Sequence, residues 1–261
     1  MSGNKNTPTA QPKLNGTTAA AHPSAPKNGS APSNGKIVPR VDSVVPVAST
    51  KWLALETYHY TDEDGKQRQW DVATRTTKPK VDNSNGVSNT TPGNTRSTAD
   101  AVVIIPLLSS KSNPSNKLET LLVTQFRPPV NGYTMEFPAG LVDAGETVEA
   151  AALRELREET GFVGEFCSAV PDVSRAVCMS PGLATETVHV VLVQVDLDNP
   201  YNHGTPKPEL DDGEHVTLHR VPLDEGLKTL VDTCPAMPIM GLYLFAMGFQ
   251  LGKQQQQAEK K

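Results

Sequence analysis

Apolar and polar residues alternate with a period of two over several short stretches of the chain, which is typical of half-buried strands. WLALETYHY at 52–60 and KQRQWDVATRTT at 66–77 flank the turn sequence DEDG, so they are predicted to form a strand pair. Further strands are predicted at 101–108, 118–126, 133–137, 187–195 and 215–221.

A helical period of apolar residues replaces this alternation in three places, at 148–160, around 224–232 and from 238 to about 252. In the first of these, Val148, Ala152 and Leu156 form a stripe that can face a sheet. Thr147 is its predicted N-cap, and Gly161 is predicted to follow its last turn. The mixture of strands and helices predicts an α/β domain.

Three stretches carry too few large apolar side chains to join a core. Residues 1–48 are predicted to be a disordered low-complexity tail, 79–99 a flexible insertion, and 253–261 a polar tail that frays. The ordered regions are therefore predicted at 49–78, an N-terminal β-strand region, and at 100–252, the main domain. The first 40 residues are basic, but their single arginine and missing apolar face favour a tail over a transit peptide.

Composition excludes several classes of function. The net charge is −5, which argues against a nucleic-acid binder that works by bulk electrostatics. No apolar run approaches the roughly 20 residues of a membrane span, so no membrane partner is expected. The three cysteines lack the pairing and C-x-x-C spacing of a disulfide framework or zinc site, which favours reduced thiols and a cytoplasmic protein, with the nucleus as an alternative.

The segment 140–162, GLVDAGETVEAAALRELREETGF, concentrates five glutamates and two arginines on a short helix. Glu155 and Glu159 lie within about 40° of one another around the helix axis, and Glu158 sits beside them. Like charges at this spacing repel, and Arg154 compensates only part of the cluster. Oxygen ligands of this kind suit Mg²⁺, with Mn²⁺ as a substitute. The alternative is a solvated face laced with salt bridges.

The same segment fits the Nudix box, G-x5-E-x7-R-E-U-x-E-E-x-G-U with U a bulky apolar residue, at every specified position. We refer to residues 140–162 as the box. The stretches QFRPPVNGYTMEFPAGL before it and CMSPGLATETVHVV after it, with Pro181 about twenty residues past it, are similar to the eukaryotic ADP-ribose pyrophosphatases, also called ADP-sugar diphosphatases. KW at 51–52, RQW at 68–70 and DDGE at 211–214 extend the resemblance over roughly residues 50–250.

The resemblance implies a Nudix fold, a mixed sheet between helices with an N-terminal strand pair. It implies a magnesium-dependent hydrolase that cleaves the diphosphate of ADP-ribose, and of other ADP-sugars, to AMP and ribose 5-phosphate. A Nudix hydrolase acting on another nucleotide, such as a nucleoside di- or triphosphate, is the first alternative. A Nudix fold that only binds is the second, although such proteins usually lose box glutamates and this chain has them all.

The resemblance also implies roles for individual residues in catalysis. The carbonyl of Ala139 and the carboxylates of Glu155 and Glu159 are expected to bind the metal, with Glu158 as a further ligand or neighbour. Arg154 is expected to hold these carboxylates in place. Glu214 is expected over the metal as general base, metal ligand or both, and Glu209, Asp211 and Asp212 are the other candidates in the same loop.

The resemblance implies that a second set of residues contacts the substrate. Trp52 and Trp70 are expected to sandwich the adenine across a homodimer in which each tryptophan comes from a different chain. The other expected contacts are Asp71 to the adenine amino group, Arg75 and Arg127 to phosphate or the terminal ribose, and Glu136 and Leu141 along the cleft. Ser180 departs from a close relative, which has an acidic residue there, and this puts the fine substrate preference in doubt.

Overall fold

The structure is a computed structural model, and it describes residues 37–76, 99–113, 117–166 and 173–259. Residues 1–36 of the predicted tail, most of the predicted insertion at 79–99, and Cys167 lie outside these ranges. None of the helices in the described ranges combines the length and the apolar character needed to cross a bilayer.

The N-terminal region is a three-stranded antiparallel sheet, not a strand pair. Its strands are β1 (Arg40–Ser49), β2 (Leu53–Thr61) and β3 (Gln67–Arg75), in that order. The turn predicted at 62–65 is confirmed, because a carboxylate oxygen of Asp62 accepts from the amides of Asp64 and Lys66, and Gly65 has φ 77°.

The disordered tail predicted for 1–48 is wrong for residues 40–48, which form most of β1. The polar composition of the preceding forty residues masked the sequence VDSVVPV, whose β-branched residues favour a strand. β1 pairs with β2 along its length, yet all ten of its residues are exposed. Val41, Val44, Val45 and Val47 are therefore apolar side chains left facing solvent.

The main sheet is mixed and, in the described part of the chain, has nine strands. The strands are β4 (Ala101–Ser109), β5 (Glu119–Arg127), β6 (Gly132–Glu136), β7 (Ala139–Leu141), β8 (Glu165–Phe166), β9 (Val177–Cys178), β10 (Thr187–Asp196), β11 (Thr217–Pro222) and β12 (Met237–Pro238). The central path of the sheet is β12-β6-β5-β4-β10-β8, with β11 paired to β5, β7 to β4 and β9 to β10. β10 is parallel to β4 and β12 is parallel to β6, while the other pairs are antiparallel.

Helices cover both faces of this sheet: α1 (Val148–Thr160) on one, and α2 (Glu225–Thr233) and α3 (Met240–Glu259) on the other. Val102 and Ile104 of β4 pack in the core cluster that contains Leu156 of α1. Val103 and Ile105 pack in the cluster that contains α2 and α3, because alternate residues of a strand face opposite sides. The predicted mixed sheet between helices is confirmed.

The predicted strands and helices match the observed bounds within a few residues, except at the C-terminus. α3 continues to Glu259, so residues 253–259 of the predicted polar tail are helical, while their fraying stays a prediction. Lys253, the glutamines at 254–257, Ala258 and Glu259 all belong to residue types with high intrinsic helix propensity, which outweighs their lack of core contacts.

Candidate active site

The helix that carries most of the box, α1, is capped at both ends by local hydrogen bonds. The hydroxyl of Thr147 accepts from the amide of Ala150 at 3.1 Å, and Gly161, at φ 75°, donates its amide to the carbonyl of Arg157. Both predicted caps are therefore confirmed. Leu156 is fully buried in the core below the helix. Arg154 and Glu159 point instead to β7, with which both form hydrogen bonds.

Arg154 joins three of the box carboxylates. Its guanidinium donates two hydrogen bonds to Glu146, at 2.9 and 2.8 Å, one to Glu155 at 2.8 Å and one to Glu158 at 2.9 Å. It also donates to the carbonyl of Leu141 at 3.0 Å. The hydrogen bonds to Glu146 contribute most to raising the pKa of Arg154 above its usual value. One cation thus fixes three carboxylates and the end of β7.

Glu159 is the most enclosed acid of the box, with 6% of its surface exposed. Its carboxylate accepts from the amide of Ala139 at 3.0 Å, which joins α1 to the start of β7. Burial raises the pKa of Glu159 to about 8, and the charges of Glu155 and Glu214 add to this rise. Burial also raises the pKa of Glu155, although its hydrogen bond from Arg154 opposes the shift.

Gly140 leaves the space that the Glu155 carboxylate occupies. A Cβ atom built on Gly140 would lie 1.9–2.3 Å from the three carboxylate atoms of Glu155. The glycine that opens the box is therefore required by close packing of this acid against the backbone of β7.

The residues present fit a divalent cation. Glu159 is buried and Glu155 is half-buried, and the pKa of each is raised because nearby positive charge does not offset its loss of solvent. Within the described residues, no three His, Cys, Asp or Glu side chains already converge as a metal cage. A cation here would be held by carboxylate and backbone oxygens together with waters, the hard oxygen ligands that divalent cations of this kind take.

Glu214 lies in the loop 203–216, which leads into β11. Its amide donates to the carbonyl of Asp211 at 3.0 Å, and its carboxylate accepts from the amide of Asp211 at 3.3 Å. The negative charge of Glu214 reaches Glu155, Glu159 and Arg127, because it contributes to the pKa shift of each. Of the other loop acids, Glu209 is paired with Arg157 at 2.8 Å.

Arg127 and Glu136 form a bidentate ion pair beside the box. Two guanidinium nitrogens of Arg127 donate to the two oxygens of Glu136 at 2.8 and 2.9 Å, and the hydroxyl of Thr134 donates to Glu136 at 2.5 Å. Burial acts to raise the pKa of Glu136, but the hydrogen bonds from Arg127 and Thr134 outweigh it and lower the pKa. The pair is thus fixed before any substrate arrives.

The two tryptophans do not meet within one chain. The amide of Thr76 donates to the carbonyl of Trp52 at 3.1 Å, so Trp52 lies level with a residue six positions beyond Trp70. At about 3.3 Å per residue along a strand, this corresponds to a separation of about 20 Å. Lys51 lies over the Trp52 ring, 4.2 Å from its centroid, whereas the indole N–H of Trp70 donates to the carbonyl of Gly182 at 3.1 Å.

The other predicted recognition residues already have partners. Asp71 accepts from the hydroxyl of Thr57 at 2.7 Å, and Arg75 donates to Glu186 at 2.7 Å. The carbonyl of Ser180 accepts from the amides of residues 183 and 184, at 3.0 and 2.9 Å, and so forms the turn that contacts Trp70.

A cleft of about 460 Å³ lies between the N-terminal sheet and this turn, and the sequence interpretation missed it. Tyr58 is the cross-strand partner of Trp70, and Tyr60 follows two residues later on the same face of β2. The alternation in YHY at 58–60 was the available signal. The cleft is lined by these aromatic rings and, among others, by Arg40, Pro181 and Leu183.

Comparison with known proteins agrees with this arrangement. The family model described as NUDIX domain matches residues 98–234. The chain is 40% identical to the ADP-sugar pyrophosphatase of Mus musculus over 70% of this chain and 73% of that protein. It is 38% identical to the ADP-ribose pyrophosphatase of Saccharomyces cerevisiae, over 76% of this chain and 77% of that one. A crystal structure of an ADP compounds hydrolase superposes with TM-score 0.53 at 18% identity, covering 85% of this chain and 98% of its own, which shows a shared fold.

Proposed function

The chain belongs to the Nudix family of hydrolases, and from that premise we propose that it cleaves the diphosphate of ADP-ribose, and of related ADP-sugars, to AMP and the sugar phosphate. The observation that carries the proposal is the box itself. Glu159 is buried and accepts from the amide of Ala139. Glu155 is half-buried, packs on Gly140 and accepts from Arg154, and the negative charge of Glu214 acts on both acids. Enzymes of this family use a divalent cation, and we propose Mg²⁺, with Mn²⁺ as a substitute.

The bound cation would supply charge neutralisation of the diphosphate and activation of a water molecule. Glu155 and Glu159, with the carbonyl of Ala139, would hold it, and Glu158 would stand beside them. Arg154 keeps the carboxylates from moving apart, since it is hydrogen bonded to two of them and to β7.

Glu214 accepts the proton of the attacking water in this proposal. The water oxygen bonds to one phosphorus while the bond from that phosphorus to the bridging oxygen breaks. The bridging oxygen leaves on the second phosphate, so the products are two monophosphates. Arg127, which Glu136 holds in a fixed orientation, faces the diphosphate and offsets its charge.

A homodimer completes the base site in our proposal. A base stacked on both faces needs two rings about 7 Å apart, since each stacking contact spans about 3.5 Å. The separation of about 20 Å between Trp52 and Trp70 in one chain therefore supports a sandwich built from Trp52 of one copy and Trp70 of the other. The exposed valines of β1 provide an apolar surface that a second copy would cover.

The remaining recognition residues would then surround the same nucleotide. We assign Asp71 to the adenine amino group, Arg75 to phosphate or ribose, and Leu141 and Ser180 to the wall of the nucleotide site. The thiols of Cys178 and Cys234 are free, which supports placing the protein in a reducing compartment such as the cytoplasm.

A substrate panel tests the proposal directly. Purified protein would be assayed with ADP-ribose, ADP-glucose, NADH, dinucleoside polyphosphates and nucleoside triphosphates, with Mg²⁺, with Mn²⁺ and with a chelator. We expect the highest kcat/KM for ADP-ribose or another ADP-sugar and no turnover in chelator. A triphosphate that exceeds every ADP-sugar tenfold in kcat/KM would show that the substrate is wrong while leaving the hydrolase assignment intact.

A further inference from the structure

The loop that carries Glu214 is fixed at its middle to the end of the box helix. The amide of Glu209 donates to the carbonyl of Glu158 at 2.7 Å, and the carboxylate of Glu209 accepts from Arg157 at 2.8 Å. A Cβ atom on Gly161 would lie 2.6–2.8 Å from the backbone of Lys207, so the loop backbone packs directly on this glycine.

The hydrogen bond from Glu209 to Glu158 gives a partner to a carbonyl in the last turn of α1. The last four carbonyls of an α-helix have no partner within the helix. In α1, the carbonyl of Arg157 accepts from Gly161, and that of Glu158 accepts from Glu209 in the loop. The loop amide therefore takes the place of a missing turn of helix, which makes the attachment specific in register.

The attached segment is stiff before it docks. Residues 206–209 read PKPE, and the two prolines fix their own φ angles and keep the preceding residues extended. Such a segment loses less conformational entropy on docking than an ordinary loop of the same length. We call residues 206–209 the anchor.

Only a short tether separates the anchor from Glu214. Five residues, 210–214, span at most about 17 Å when fully extended. Gly213, at φ 85°, turns the chain within this tether, and Asp211 closes the turn through its hydrogen bonds with Glu214. The helix that carries Glu155 and Glu159 thus also fixes the start of the segment that brings Glu214 to them.

We propose that the anchor positions Glu214 over the box carboxylates, and that Glu209 is a positioning residue that acts through its backbone amide. The inference rests on the proposed function, because it depends on the role given there to Glu214. The ion pair with Arg157 is a minor part of the anchor, since both side chains are 59% exposed and such pairs contribute little.

Two substitutions at one position separate the amide from the side chain. Glu209→Pro removes the amide donor together with the ion pair, whereas Glu209→Ala removes only the ion pair, so the difference between the two variants reports the amide. We expect Glu209→Pro to lower kcat by roughly 10- to 100-fold with KM within about twofold, because misplacing a catalytic group by about 1 Å has effects of this size. Glu209→Ala should lower kcat by less than about threefold.

The effect of Glu209→Pro should disappear when Glu214 is already neutralised. Glu214→Gln alone is expected to lower kcat by about 10²- to 10⁴-fold, the range for losing a general base. If the anchor acts through Glu214, adding Glu209→Pro to that variant lowers kcat no further. An equal loss in both backgrounds, or a Glu209→Pro enzyme with the kcat of the unmodified enzyme, overturns the proposal.

Hydrogen exchange tests the anchor without any assay of turnover. Amides at 210–216 should exchange faster in Glu209→Pro than in Glu209→Ala, while α1 and the main sheet stay protected.

Should Glu209→Pro not fold, the double variant Pro206→Ala with Pro208→Ala loosens the anchor and should give the same faster exchange with a smaller loss of kcat. Unchanged exchange in the loop contradicts the anchor. Failure of every ADP-sugar as substrate, with faster exchange observed, contradicts only the proposed reaction.

Discussion

In the box, Glu155 and Glu159 are held by hydrogen bonds from Arg154 and from the amide of Ala139, all within one chain. In the N-terminal sheet, Trp52 and Trp70 are 57% and 50% exposed and lie about 20 Å apart. The first region has its proposed metal-binding groups assembled within one chain, whereas the second presents two aromatic surfaces that are too far apart to stack on one base. Chemistry and base recognition therefore make different demands on the fold.

The difference follows from the forces involved. Buried carboxylates are costly unless fixed donors and a cation surround them, so the box must be rigid and enclosed. A nucleobase is recognised by stacking on flat apolar rings, which tolerates an open site completed by another molecule. The comparison predicts that variants in the two regions act on different kinetic constants.

Glu159→Gln should have the largest effect, because it removes a negative charge from the proposed cation site. Gln keeps the side-chain volume and an oxygen that accepts from the amide of Ala139. We expect kcat to fall by roughly 10³-fold, several kcal/mol of transition-state stabilisation, with the fold retained. Steady-state kinetics measure kcat and thermal unfolding measures the stability of the fold, each with and without Mg²⁺.

Glu149→Gln, at an exposed acid in the first turn of the same helix, is the matched control and should behave like the unmodified enzyme. Full magnesium-dependent activity in Glu159→Gln would remove this residue from the metal site.

Loss of either tryptophan should instead raise KM for ADP-ribose. Stacking on a base contributes roughly 1–3 kcal/mol, so Trp52→Ala and Trp70→Ala should each raise KM by about 5- to 150-fold while kcat changes little. The two variants are then co-expressed and the mixed dimer is isolated by orthogonal affinity tags. If each sandwich uses one tryptophan from each chain, the mixed dimer has one intact site and regains the original KM at half of its sites. Absence of any low-KM site in the mixed dimer would refute the shared sandwich.

Gly140→Ala should have the smallest effect and tests how tightly the box is assembled. The added methyl group would lie 1.9–2.3 Å from the Glu155 carboxylate, which must swing away from Arg154. We expect kcat to fall roughly tenfold, because a carboxylate proposed to bind the metal is misplaced. The unfolding free energy should change by less than about 1 kcal/mol, since a flexible side chain can yield. Gly241→Ala, where a methyl group meets no atom within 4 Å, is the control and should keep full activity. Equal kinetics in the two variants would mean that the box accommodates movement of Glu155.

The sequence predicted the main domain well because its signals are local and periodic. Short runs of apolar, mostly β-branched residues defined β4 and β10, and the cap residues Thr147 and Gly161 defined α1 to the residue. The pattern of glutamates in the box identified the acids that the structure encloses. Such features depend on residues close together in the chain, where one sequence carries enough information.

Features that depend on contacts between distant segments were missed. β1 was assigned to a tail, because its stability comes from pairing with β2 and not from composition. The cleft beside Trp70 needs Tyr58 and the turn at Pro181 to meet, over a separation of more than a hundred residues. The anchoring of Glu209 to Glu158 involves a backbone amide, which no residue pattern reveals.

The distance between Trp52 and Trp70 has a consequence for how the enzyme responds to its own abundance. If the two halves of the base site come from different copies, dilution below the dissociation constant of the dimer separates them by mass action. The proposed catalytic groups remain together in each separated chain, because the hydrogen bonds that hold Glu155 and Glu159 lie within one chain. Affinity for the nucleotide would then fall on dilution before the maximal rate does, so that the protein concentration itself sets the substrate level at which the enzyme works.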